Sequence, residues 1–196
     1  MKNKYNAYYL TVISLIIAIL MIQAFVPWLG YLPLGFANVT IVHVTVIIGA
    51  ILLGVRGGAI IGTSWGILAL IRHLVQPTLL SPIFYNPLVA IVPRLCVGVI
   101  VAVIYPLLRH YFTPMKSGAI AGVVGSLTNS LLVTLMVYFF ARTTYAELMH
   151  IPESTVLFAF VAMIIFNAIF ECLAAAVLTP LITRPLLAIR TRQEKQ

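Results

Sequence analysis

The chain has 196 residues, of which 62% are hydrophobic and only 8% are charged. In a typical soluble domain the share of charged residues is roughly three times as high. The composition therefore predicts an integral membrane protein and excludes a separate soluble catalytic or nucleotide-binding domain. The net charge of +8 does not indicate a nucleic-acid partner, because the basic residues lie singly between apolar segments or at the two ends. That distribution is typical of proteins oriented in a lipid bilayer.

Six apolar segments, separated by prolines, glycines and charges, predict six transmembrane helices in one all-α domain over residues 1–196. The first segment, Ala7–Val26, is longer than the apolar core of a signal peptide, which has about 7–15 residues. It is interpreted as a retained helix. The predicted helices 1 to 6 span residues 7–26, 39–53, 59–74, 88–108, 117–140 and 155–181.

Lysine and arginine are divided unequally between the two sides of this arrangement. Only Arg72 and Arg142 lie on the side opposite the termini. Because basic residues accumulate on the cytoplasmic side, both termini are predicted to lie in the cytoplasm of a prokaryotic cell. The outward connections are aromatic and proline-rich or polar, which favours a binding mouth there. The basic residues on the terminal side are Lys2, Lys4, Arg56, Arg109, Lys116, Arg184, Arg190, Arg192 and Lys195.

Arg94 is the one basic residue well inside a predicted helix, about two turns from the outer end of helix 4. A charge at that depth costs at least about 2–3 kcal/mol, so it faces a counter-ion or a cavity. Two interpretations are open. Arg94 pairs with Glu171 of helix 6 as an internal staple, or its planar fork receives an anionic ligand. Pro93 also leaves a backbone carbonyl nearby without its helical donor.

Several other helices place polar groups at similar depths. Asn129 and Asn167 suit interhelical hydrogen bonds and ligand contacts equally well. His43 is interpreted as a residue of the ligand mouth or a loop cap, since no second histidine follows four residues later. Aromatic residues before helix 4 offer stacking surfaces. The candidate ligand-binding residues are Arg94, Asn129, Asn167, Glu171, Thr40, His43, Phe84 and Tyr85.

Small residues recur every four positions on three helices, a spacing that lets helix backbones approach closely in lipid. Gly58, Gly62 and Gly66 do so on helix 3, and Gly118 and Gly122 on helix 5. Internal packing is the favoured interpretation for both. On helix 1, Ser14 and Ala18 have the same spacing, and a partner protein is the favoured neighbour.

Catalytic motifs are weak in this chain. GTSWG at 62–66 matches G-x-S-x-G, but it falls in mid-helix rather than on a strand-to-helix turn. An intramembrane hydrolase using Ser64 is therefore a remote alternative. The chain has neither a metal-binding HExxH motif nor a P-loop, so any ATP must be used by other subunits. A self-contained secondary carrier of a small anion also stays open, although no internal repeat is evident.

The stretch from Tyr31 to Gly66 resembles the substrate-binding S-components of energy-coupling-factor (ECF) vitamin transporters. The matching elements are Pro33-Leu34-Gly35, Thr40-Ile41-Val42-His43, and Gly49-Ala50 through Gly54 to Gly58-Ala59, followed by NPLVAIVPR with Arg94 and by Asn129. The resemblance implies a six-helix protein that captures a vitamin and works with a membrane coupling protein and two ATPase subunits. It also implies that Ser14 and Ala18 dock the coupling protein.

The Thr-Ile-x-His start of helix 2 and the arginine after proline look most like the pantothenate subgroup. Pantothenate carries a carboxylate, an amide and two hydroxyls, which one arginine and several Asn or Thr groups would match. Folate and a hydroxymethyl-pyrimidine stay open as other vitamins, because aromatic residues are available for stacking. No cofactor is expected in the chain itself.

Overall fold

The computed structural model describes the backbone of residues 2–26, 28–34 and 37–193, and the side chains of residues 7–26, 28–31 and 40–189. Within these residues, five helices are long and apolar enough to cross a membrane. The predicted multi-pass, mainly helical membrane protein is thereby confirmed. The elements are α1 (Lys2–Phe25), β1 (Tyr31–Leu34), β2 (Ala37–Thr40), α2 (Val42–Val75), α3 (Pro87–Tyr111), α4 (Pro114–Phe140), α5 (Arg142–Met149) and α6 (Val156–Gln193), with 3₁₀ turns at Ser81–Tyr85 and Glu153–Thr155.

The 34-residue α2 reverses direction at Gly54, whose φ of 72° and ψ of −166° are accessible mainly to glycine. A Cβ placed on Gly58 would lie 3.1 Å from the Cβ of Ala50, and one on Gly49 would lie 2.6 Å from Cδ1 of Ile61. Residues eight apart in a continuous helix are about 12 Å apart. α2 therefore consists of two antiparallel arms, residues 42–53 and 55–75, in the places predicted for helices 2 and 3.

The first arm is preceded by a two-stranded antiparallel hairpin in which Tyr31 pairs with Thr40. The prediction that helix 2 begins at Val39 was wrong, because residues 39 and 40 belong to β2 and the helix begins at Val42. The β-branched residues there favour a strand. The first arm rises only about 18 Å, less than the roughly 30 Å of a bilayer core. Non-helical backbone at membrane depth is tolerated where protein buries it or where it lines a cavity.

Two helical segments extend beyond the predicted ones. α5 forms within the polar connection before α6, and α6 continues to Gln193 instead of ending at residue 181. Pro180 and Pro185 lie inside α6. Membrane helices tolerate internal prolines because neighbouring groups satisfy the freed carbonyls. Pro27, which follows the predicted helix 1 in the sequence, lies outside the described residues, as does Gly35.

Glycine contacts hold the helices together, as the spacing predicted. Gly58 and Gly98 are in backbone contact across α2 and α3, and a Cβ on Gly62 would collide with the Arg94 carbonyl oxygen. On the other side of the bundle, a Cβ on Gly122 would lie 2.5 Å from the Ala175 carbonyl oxygen. α3 therefore packs antiparallel to the second arm of α2, and α4 packs antiparallel to α6. The apolar core lies among these helices and α1.

We call the end of the bundle that carries the hairpin, the Ser81–Tyr85 turn and α5 the connection end. The opposite end, which carries both termini and the reversal at Gly54, is the terminal end.

Candidate functional site

Arg94 lies inside α3 about two turns from the connection end, and only 8% of its surface is exposed. Its Nη1 donates a hydrogen bond of 2.9 Å to the carbonyl oxygen of Val89. Because Val89 precedes Arg94 by five residues, the guanidinium points back toward the connection end. Its Nε is buried and has no hydrogen-bond partner among the residues that the structure describes. Arg94 therefore presents a fixed positive charge with an unused donor.

Aromatic rings flank this guanidinium. Its central carbon lies 5.3 Å from the ring centre of Trp65 and 5.4 Å from that of Phe84. Phe84 in turn stacks on His73, with ring centres 4.6 Å apart. The Nδ1 of His73 is 2.9 Å from the hydroxyl of Ser81, which ties the 3₁₀ turn to the second arm of α2. The faces of aromatic rings attract a cation, and here they restrict the orientation of the planar guanidinium.

Arg94 and Glu171 do not form a staple. In the part of the chain that the structure describes, the one salt bridge joins Arg142 to Glu153, at 2.7 Å. The Oε1 of Glu171 instead accepts a 3.0 Å hydrogen bond from the backbone N–H of Thr40 in β2. The carboxylate therefore satisfies a strand donor at membrane depth, where an unpaired backbone group is costly.

Packing contacts give the relative depths of these groups. Ser126 of α4 lies level with Glu171, because its hydroxyl donates to the Glu171 carbonyl oxygen at 3.3 Å. A Cβ on the adjacent Gly125 would lie 3.0 Å from Cγ2 of Val101 on α3. Glu171 is thus level with about residue 100 of α3. This level is six residues, or about 9 Å, closer to the terminal end than Arg94, and we call that direction below.

Asn129 and Asn167 occupy the interval between these two charges. Asn129 lies about one turn above Ser126 on α4, and Asn167 lies one turn above Glu171 on α6, so the two are nearly level. The side-chain oxygen of each is buried and has no hydrogen-bond partner within the described part of the chain. The buried Nε1 of Trp65 is likewise without a partner. Buried polar groups normally find partners, so unused donors near Arg94 and unused amides below it are what a polar ligand would engage.

His43 lies on the floor of this region rather than at its mouth. It is fully buried, and its Nε2 is 2.7 Å from the hydroxyl of Ser126. Together with the bond from Ser126 to the Glu171 carbonyl, this links α2, α4 and α6. A serine–histidine pair invites a catalytic interpretation, but both residues are completely enclosed, and polar contacts between membrane helices are a usual means of association.

The remaining predicted residues are more exposed or are bonded within their own helix. Tyr85 is 42% exposed, so it is the least enclosed of the predicted ligand contacts. Ser64 donates its hydroxyl hydrogen bond to the carbonyl oxygen of Ile60 in its own helix, at 2.9 Å. Ser14 and Ala18 are both exposed on α1.

Ser126 and the free indole N–H of Trp65 were not predicted as site features. Ser126 continues the face of Gly118, Gly122 and Asn129 at helical spacing, and this pattern would have identified it. The position of Trp65 beside Arg94 depends on the Gly62 contact between α2 and α3, which no local pattern reveals.

The chain is similar in sequence to known membrane transport proteins. The family model described as the substrate-specific component of the ECF transporter matches residues 8–183. Pantothenate transporter PanT of Leuconostoc mesenteroides is 35% identical over 196 residues, covering 94% of each chain. Pantothenic acid transporter PanT of Lactococcus lactis subsp. cremoris is 26% identical over 166 residues, covering 77% of this chain and 79% of that protein.

Proposed function

Because the chain belongs to the family of substrate-specific components of ECF transporters, we propose that its substrate is pantothenate and that Arg94 holds the carboxylate of this vitamin. The family and the transporter relatives imply transport rather than catalysis. The two relatives named as pantothenate transporters support the identity of the substrate.

The observation that carries the proposal is the guanidinium of Arg94, which has no ion-pair partner among the residues whose side chains the structure describes. It is buried, flanked by two aromatic rings, and separated in depth from the one acidic group among the described core residues. Removing such a charge from water is unfavourable unless an anion meets it. A carboxylate supplies that anion, and the fork of arginine binds it with two parallel hydrogen bonds.

The body of pantothenate fits the groups below Arg94. Its amide and two hydroxyls both donate and accept hydrogen bonds, as the side-chain amides of Asn129 and Asn167 require. Glu171, Thr40 and His43 form the floor in this proposal. Phe84 covers the site from the connection end, and Tyr85 lies at its rim.

We further propose six membrane crossings with both termini in the cytoplasm. The first arm of α2 and the β-hairpin together make the second crossing, since the arm alone is too short. The hairpin then covers the binding site from outside. The nine basic residues of the terminal side support this orientation.

Transport in this proposal requires a membrane coupling protein and two ATPase subunits, which use ATP, while the chain itself needs no cofactor. The exposed small residues Ser14 and Ala18 on α1 form the docking face for the coupling protein. Small residues allow a partner helix to approach closely. A self-contained carrier would instead move pantothenate without these partners.

Calorimetry with the purified chain in detergent tests the proposal. The two ligands are pantothenate and its neutral alcohol analogue, in which CH₂OH replaces the carboxylate. We expect Arg94→Ala to weaken pantothenate binding by about 2–5 kcal/mol, the usual cost of removing one partner of a buried charge pair. Arg94→Lys should recover only part of this, because an ammonium cannot form the fork.

Arg142→Ala is the matched control, since Arg142 lies in a half-exposed salt bridge with Glu153 and has no ligand contact in this proposal, so it should leave binding unchanged. Equal affinity of the wild-type chain for acid and alcohol would overturn the assignment of Arg94 to the carboxylate.

A further inference from the structure

Pro93 precedes Arg94 and lies within the helical part of α3. A residue in this position would normally donate its backbone N–H to the carbonyl of the residue four positions earlier, which is Val89. Proline has no N–H, and its ring pushes that carbonyl aside. The Val89 carbonyl oxygen instead accepts the 2.9 Å hydrogen bond from Nη1 of Arg94. The side chain of Arg94 thus takes the place of the donor that Pro93 lacks.

This bond determines which part of the guanidinium is available. With Nη1 held at Val89, the edge formed by Nε and Nη2 is left, and Nε has no partner. The rings of Trp65 and Phe84 lie close to the planar guanidinium, so they limit its rotation. The Nε and Nη2 edge presents two parallel N–H donors, the arrangement that fits a carboxylate.

We propose that Pro93 is a positioning residue that aims the fork of Arg94 at the ligand and thereby sets the preference for an acid over a neutral analogue. This inference rests on the proposed binding of a carboxylate by Arg94. Pro93 itself needs no contact with the ligand, because it acts by leaving the Val89 carbonyl free for Nη1.

Pro93→Ala reverses this arrangement. The restored N–H competes for the Val89 carbonyl, and the carbonyl realigns with the helix axis once the ring is gone. Nη1 then loses its anchor, so the guanidinium is free to adopt orientations that do not face the ligand. The helix itself should be no less stable, because alanine is a better helix former than proline.

The experiment measures pantothenate and its neutral alcohol analogue against the wild-type chain, Pro93→Ala, Arg94→Ala and the double variant. We expect Pro93→Ala to raise the Kd of pantothenate by roughly ten- to a hundredfold, as for loss of one hydrogen bond to a charged group. The Kd of the alcohol should change less than about twofold. Pro106→Ala, at the other proline in the interior of α3 and close to the terminal end, is the matched control and should alter neither value.

The double variant separates positioning from general structure. If Pro93 acts through Arg94, adding Pro93→Ala to Arg94→Ala should have no further effect on either ligand. Equal weakening of acid and alcohol by Pro93→Ala, or no weakening of either, would overturn the inference. Pro93→Val, which restores the same N–H and keeps most of the ring volume, must give the same result as Pro93→Ala.

The failure of this inference differs from that of the proposed function. If Arg94→Ala removes the preference for the acid and Pro93→Ala does not, only the role of Pro93 is wrong. If Arg94→Ala leaves the preference intact, the binding of the carboxylate by Arg94 is itself wrong.

Discussion

The backbone of α2 at Gly62 contacts the backbone of α3 at Arg94. A methyl group added at Gly62 would therefore displace Arg94, the residue that we propose binds the carboxylate. A Cβ on Gly62 would collide with the carbonyl oxygen of Arg94 and would lie only 3.1 Å from its carbonyl carbon and from Cα of Leu95. Ordinary contacts between carbon atoms are about 3.5–4.0 Å. Since all three atoms belong to backbone, no side chain can rotate away. In Gly62→Ala the two helices must therefore separate by roughly 0.5–1 Å.

We expect two consequences from this separation. Overpacking of this kind costs about 1–3 kcal/mol of folding free energy, which lowers the unfolding temperature by roughly 2–12 °C for a protein of this size. Binding groups must be held within about 0.5 Å of their productive positions. The Kd of pantothenate should therefore rise at least about tenfold, or 1.4 kcal/mol.

Thermal unfolding in detergent and calorimetry with pantothenate measure the two effects. Gly49→Ala is the matched control, because the close contacts of a Cβ there are with the Cδ1 ends of Ile61 and Ile16, at 2.6 and 3.1 Å, and Cγ2 of Ile16 lies at an ordinary 3.6 Å. These ends can rotate, so the Kd should stay at its wild-type value. The reasoning is refuted if Gly62→Ala binds pantothenate as the wild type does, or if Gly49→Ala weakens binding equally.

Three further predictions concern α1, the hairpin and the topology. Ser14→Leu or Ala18→Leu should abolish pantothenate uptake in cells that contain the coupling protein and ATPases, while the isolated variant binds the vitamin normally; normal uptake by both would place the docking face elsewhere. Glu171→Ala should lower the free energy of unfolding by about 1–3 kcal/mol, because the N–H of Thr40 loses its acceptor, and unchanged unfolding would mean that another group replaces it. A reporter fused after Gln196 should be active only in the cytoplasm, and activity outside would contradict the six-crossing topology.

Much of the helical arrangement could be predicted because the signals are local. Apolar length, basic flanks and the glycine at position 54 identify the helices and the reversal within α2. The spacing of Gly58, Gly62 and Gly66 predicted a close helix contact, and the structure confirms it. These features depend on the composition of a segment and on the spacing of its small residues, and both are visible in that segment alone.

The β-hairpin and the length of α6 could not be predicted in the same way. An apolar, β-branched stretch such as Val39–Ile41 is compatible with helix or strand, and the choice depends on the distant carboxylate of Glu171. Likewise, α6 continues beyond residue 181 through Pro185, which is accommodated within a membrane bundle.

The candidate site could also be predicted only in part, because some of its features depend on contacts between distant residues. Arg94 is conspicuous because a lone charge in an apolar helix is costly. Whether it pairs with Glu171 depends on the register between α3, α4 and α6, and this register is set by contacts between residues far apart in sequence. Pro93 leaves the Val89 carbonyl without its helical donor, and Arg94 donates a hydrogen bond to it. This hydrogen bond could not be predicted, because the sequence does not specify the rotamer of the Arg94 side chain.

The most direct test of the central claim is the identity of the small molecule that the chain retains during purification. The chain is expressed in cells grown with isotope-labelled pantothenate and purified in mild detergent, and the molecules released on denaturation are identified by mass spectrometry, with Arg94→Ala as the control. We predict labelled pantothenate in near-equimolar amount from the wild-type chain and little from Arg94→Ala. A different vitamin bound to the wild-type chain, or equal amounts of pantothenate from both proteins, would contradict the account.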